Sequence, residues 1–81
     1  MDAPNPAAGR SLVRFEVPRS TPVRLSLLDV QGREVAVLAD GVREPGRYTA
    51  ALDASDLRAG IYFVRMQAGS TKLTRRVVVL Q

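Results

Sequence analysis

No stretch of this 81-residue chain sustains a helical repeat; short alternating apolar runs are broken by a turn signal every several residues. That rhythm restricts the fold more than any other feature. A period-two run makes a strand with one buried face, and a tight turn returns the chain antiparallel to itself. Small antiparallel sheets hide their apolar sides by packing face to face. The expected class is all-β, an immunoglobulin-like antiparallel β-sandwich of about six or seven strands. An open barrel of similar strand count is the alternative.

The runs can be followed in order. Leu12, Val13, Phe15 and Val17 flank Arg14 and Glu16, and Pro18 closes that strand. Arg19 to Pro22 read as a turn, and Val23, Leu25 and Leu27 then alternate with Arg24 and Ser26. Asp29-Val30-Gln31-Gly32-Arg33 should be a tight hairpin, with the Asp29 carboxylate accepting the N–H two residues on and Gly32 left-handed. The return strand is expected from about Glu34 to Ala39, with Val35 buried, then a bend at Asp40-Gly41 and a type II turn at Glu44-Pro45-Gly46. Tyr48, Ala50 and Leu52 mark the next strand. Gln67 to Ser70 turn the chain once more, and Thr71 to Leu80 form the last strand.

Between these lies the stretch from Asp53 to Met66. Asp53, Ser55 and Asp56 favour a local bend because each side chain can bond nearby backbone. Gly60 takes a positive φ without penalty, and Ile61-Tyr62-Phe63-Val64 then enters a strand. Leu57, Gly60 and Tyr62 have the spacing of a tyrosine corner, in which a packed ring ties down the preceding loop through its hydroxyl. Gly32, Leu57, Gly60 and Tyr62 are therefore expected structural anchors, and Phe15, Tyr48 and Tyr62 are expected to be buried.

Residues 1–10, rich in Pro, Ala and Gly, read as the end of a linker, with the β-sandwich over residues 11–81. The expectation is a piece of a longer protein with Met1 added for expression. The opening has no apolar region of the kind a signal peptide needs, and no run approaches the roughly 20 apolar residues of a membrane helix.

The inventory argues against catalysis. There is no cysteine or histidine, and the serines have no base candidate beyond Lys72. The net charge of +4 is spread along the chain, with only Arg75 and Arg76 adjacent, which disfavours nucleic acid. A calcium site at Asp53, Ser55 and Asp56 has too few carboxylates, and aromatic platforms for sugars are scarce. No catalytic residue, metal or cofactor is expected.

The order of motifs resembles a known family. Pro4-Asn5-Pro6 is followed by Val13-x-Phe15-x-Val17-Pro18, then by Val23-x-Leu25-x-Leu27-Leu28-Asp29-x-x-Gly32-Arg33-Glu34-Val35. Gly46, Asp53, Leu57-x-x-Gly60-x-Tyr62-x-x-Arg65 and Arg75-Arg76-Val77-Val78-Val79-Leu80 complete the set. The chain resembles the type A C-terminal sorting domain of the type IX, or Por, secretion system, from about Pro4 to Gln81. The resemblance implies a non-catalytic address tag that directs an N-terminally fused cargo across the outer membrane. It implies an outer-membrane translocon as partner and, in many members, a sortase-like surface peptidase. The location implied is the periplasm in transit, then the cell surface or exterior. Two departures are Leu52, where tryptophan is frequent, and Gln81, where lysine is frequent.

The recognition element this implies is Arg75, Arg76, Val77, Val78, Val79 and Leu80. Four apolar residues in succession must turn some away from the core, so an outward face or strand addition offers the contact. Two other classes remain open. The immunoglobulin-like domain of flagellar hook-capping proteins shares the Asp-x-x-Gly-Arg hairpin and Gly-x-Tyr strand and is a structural spacer. A carbohydrate-binding accessory module is the other.

Overall fold

A computed structural model describes residues 1–80. Its strands are β1 (Arg10–Val17), β2 (Thr21–Leu28), β3 (Glu34–Arg43), β4 (Gly46–Asp53), β5 (Gly60–Ala68) and β6 (Thr71–Val79). All strand pairs are antiparallel and fall in two sheets, β1-β4 and β3-β2-β5-β6, so the fold is an immunoglobulin-like β-sandwich rather than the alternative open barrel. The core lies between the sheets. Val13, Phe15, Val17, Ala50 and Leu52 of the smaller sheet meet Val23, Leu25, Leu27, Val64, Met66, Val77 and Val79 of the larger. Each set alternates with exposed or half-buried residues, as the pleat requires.

Several local expectations need correction. Thr21 and Pro22 belong to β2, and Asp40-Gly41 is no bend, because β3 continues to Arg43. Two irregularities in the β2–β3 register, between Leu25 and Ser26 and between Leu27 and Leu28, leave Leu38 and Val35 as extra residues on β3. Bulges of this kind let an edge strand keep pace with its neighbour. They also leave Val35 43% exposed rather than buried. Gly46 is not the third residue of a type II turn. Its φ of +156° is far from the ~+80° such a turn requires, and it opens β4 where the chain crosses between sheets.

The hairpin at Asp29 has the expected chemistry. The Asp29 carboxylate accepts from the Gln31 N–H at 2.9 Å and the Arg33 N–H at 3.0 Å, and Gly32 sits at φ +82°. Those bonds hold the carboxyl below its usual range, the Arg33 N–H contributing most. At Asp53 the carboxylate is taken up by the Ser55 N–H and hydroxyl, which is local capping.

The residues read as a linker end contact the sandwich. Asp2 exchanges two backbone bonds with Arg14 on β1 (2.8 and 2.9 Å), and Ala7 lies parallel to Val79 on β6. The Asn5–Pro6 peptide between them is cis. Ala7 is fully buried in the core, and Met1 and Ala3 pack against it. The segment therefore spans the seam between β1 and β6, joining one sheet to the other.

Candidate functional site

The last strand sorts its residues by alternation. Val77 and Val79 are 0% and 1% exposed and belong to the core. Val78 and Leu80 take the opposite phase, half-buried and 47% exposed respectively, on the outer face of the four-stranded sheet. Arg76 shares that face, whereas Arg75, opposite Val64, has the inner phase and reaches solvent at the sheet edge. The six residues singled out in the sequence are thus divided. Arg76, Val78 and Leu80 stand together, away from Arg75, Val77 and Val79.

The register enlarges the outer patch beyond β6. Ile61, 44% exposed, lies opposite Val78, and Phe63 lies opposite Arg76 on one side and Leu28 on the other. Leu28 is only 8% exposed yet stands outside the core cluster, which marks it as the floor of a second apolar cluster on the outside. The sequence signal for this cluster is the unbroken run Ile61-Tyr62-Phe63-Val64. A strand apolar on both faces is expected to meet something on both.

Beside this patch the same face is polar and internally neutralised. Arg24 grips Glu34 through two donors at 2.6 and 3.1 Å and reaches Asp40 at 2.9 Å. The Ser26 hydroxyl donates to Glu34 at 2.6 Å. The Arg24 bonds, then the Ser26 bond, hold the Glu34 carboxyl down at about 2, against an ordinary 4.5. A carboxyl lowered on folding contributes stability above its unfolded pKa and loses it as the pH falls. Acid titration should therefore show stability declining from about pH 4.5 down through about 2, and Glu34→Gln should flatten that limb. Denaturant midpoints in low salt, where screening of this solvent-facing cluster is least, would check it; an unchanged limb in the variant would remove Glu34 as its origin.

The edge of β6 is already engaged here. The Ala7 N–H donates to the Val78 carbonyl (2.8 Å), the Leu80 N–H donates to the Ala7 carbonyl (2.9 Å), and the Val78 N–H donates to the Asn5 side-chain oxygen (3.1 Å). Strand addition at Val78–Leu80 is therefore closed while the N-terminal segment holds its place. The outer face stays open.

Two loops are tied by the same device. The Tyr62 hydroxyl donates to the Arg58 carbonyl at 2.9 Å, and the Tyr48 hydroxyl donates to the Glu44 carbonyl. Each tyrosine follows a glycine by two residues, Gly60 at φ +149° and Gly46 at +156°. The second tie went unread in the sequence although the Gly-x-Tyr spacing occurs twice. Both rings are half-buried rather than buried, because each must reach a carbonyl at the rim; Leu57 packs on the core below. Tyr62→Phe should cost about 0.5–1.5 kcal/mol, the worth of one hydrogen bond. Chemical denaturation checks this, and no loss of stability would mean the bond is idle.

Comparison with known proteins decides the identity. The sequence pattern of the secretion system C-terminal sorting domain matches residues 3–80, nearly the whole chain. The chain belongs to that family. No curated protein and no solved structure was found to match. The sorting domain of this family is the C-terminal signal for type IX secretion, a non-catalytic role that implies a fused cargo and export to the cell surface or exterior. No helix among the described residues is long and apolar enough to cross a membrane.

Proposed function

We propose that the sorting domain is read by the outer-membrane translocon through the outer face of its four-stranded sheet, at Arg76, Val78 and Leu80 with Ile61 and Phe63 beside them. A single observation carries the reading: the patch is apolar, contiguous across β5 and β6 and uncovered, on a sheet whose opposite face already completes the core. Arg76 at its border adds a charge that an acidic rim on the partner would match. Val77 and Val79 fix the strand from beneath, and Arg75 contributes charge at the edge. On this reading the cargo passes through the periplasm with the folded domain attached. A sortase-like surface peptidase then removes the domain from the cargo.

The test is a fluorescent-protein fusion in a host with a type IX system, comparing surface and periplasmic signal. Val78→Asn with Leu80→Asn should leave the domain folded and hold the fusion in the periplasm. Arg76→Glu should weaken export more than Arg75→Glu. Normal export of the folded double variant would discard this surface.

A further inference from the structure

We infer that the outer face also pairs with itself: the four-stranded sheets of two copies pack face to face about a two-fold axis running along the strands between β2 and β5. The inference concerns the chain on its own and does not rest on the export reading.

The strand register sorts the face into rows. Leu28 and Phe63 are paired neighbours, with Glu34 beyond Leu28 on β3 and Arg76 beyond Phe63 on β6. In the next row but one Arg24 and Gln67 are neighbours, with Asp40 at the β3 end and Lys72 at the β6 end. Both rows therefore end in an acid on one edge strand and a base on the other. A two-fold axis along the strands keeps each row at its own level and exchanges its ends. The base of one copy then lies over the acid of the other, and the match occurs twice per row. An axis across the strands would instead set acid over acid. Aligned sheets cross by about 30°, which displaces the edge strands by only about 4 Å, within reach of lysine and arginine side chains.

The single copy lacks what this contact supplies. Lys72 and Arg76 are exposed and form no ion pair among the described residues, while two carboxylates share the one Arg24. Arg65, in the middle row between Ser26 and Thr74, has a buried Nε with no hydrogen-bond partner. A buried donor left unpaired costs stability. Across the axis Arg65 meets Ser26 of the second copy, whose hydroxyl is bonded to Glu34, so acceptors stand opposite the unpaired donor. Nearby, Leu28 and Phe63 lie over Phe63 and Leu28 of the second copy, apolar on apolar. The face measures roughly 500 Å², four strands ~4.8 Å apart by about eight residues of ~3.3 Å. That is small beside the ~800 Å² per partner of a standard stable interface, so the dimer is weak and reversible, and a stronger partner for the face displaces it.

Sedimentation equilibrium of this chain, from about 10 µM to about 1 mM in low salt, should show monomer passing into dimer. Lys72→Glu and Asp40→Lys, each alone, set like charges together and should lower the association constant roughly ten-fold. An equimolar mixture of the two variants should recover it to within about three-fold, because every edge contact again joins an acid to a base. Damage to the fold would not be repaired by mixing. Monomer throughout, a dimer indifferent to both variants, or a mixture no better than either variant alone would overturn the inference. Neither substitution touches Arg76, Val78 or Leu80, so the export assay is decided separately.

Discussion

Replacing Phe15 with alanine is expected to cost about 3–5 kcal/mol, the usual penalty for truncating a buried aromatic ring. Phe15 is 4% exposed, lies in the second half of β1 and stacks on Tyr48 with ring centroids 5.5 Å apart. Its loss would open a cavity beside Tyr48, where the buried neighbours on the two-stranded sheet are Val, Ala and Leu. A domain of about 80 residues has roughly 4–12 kcal/mol in all, so the variant should be partly unfolded at 37 °C. Phe15→Leu, keeping most of the volume, should cost less than half as much. Urea denaturation of the three proteins would decide it, and near-equal midpoints for wild type and Phe15→Ala would show that the core does not depend on this ring.

The second large effect is placed where the sequence reads as linker. Ala7→Asp should cost on the order of 3–5 kcal/mol, because the site is fully buried in the hydrophobic core, where a new charge loses its water. If residues 2–8 were only a tether, this change would be silent, as substitutions in exposed linkers are. Ala8→Asp, one residue along and exposed, is the matched control and should be nearly neutral. Thermal melts suffice: the two variants should differ widely, and similar midpoints would mean the segment does not belong to the folded unit.

The strands were legible because period-two alternation and turn chemistry are local. Asp29 with Gly32 specifies its hairpin through bonds spanning four residues, and nothing distant is needed. The length of β3 was not legible. Asp40-Gly41 has the composition of a bend, but Arg24 across the sheet holds Asp40 in a strand, a contact between residues 16 apart. The role of residues 1–10 was hidden for the same reason. Proline, alanine and glycine describe a linker until the seam they fill is known, and the seam exists only once β1 and β6 are opposite one another. For the candidate surface, the four apolar residues ending β6 showed that an outward face must exist. Which residues occupy it depends on the phase set by Val77 and Val79, and the share of Ile61, Phe63 and Leu28 depends on register.

The N-terminal segment has a consequence for a domain towed behind its cargo. A pull transmitted along the chain from the N-terminal side meets the Asp2–Arg14 pair before the Ala7–Val79 pair. Directed away from the sandwich, it loads these bonds one after another, as a zipper, rather than all together in shear. The first mechanical event would be release of the latch, leaving the six strands in place. It would bare the edge of β6 at Val78 and Leu80 while the outer face of the sheet stayed intact. Tension on the tether would thereby make available a backbone edge that the resting domain keeps covered.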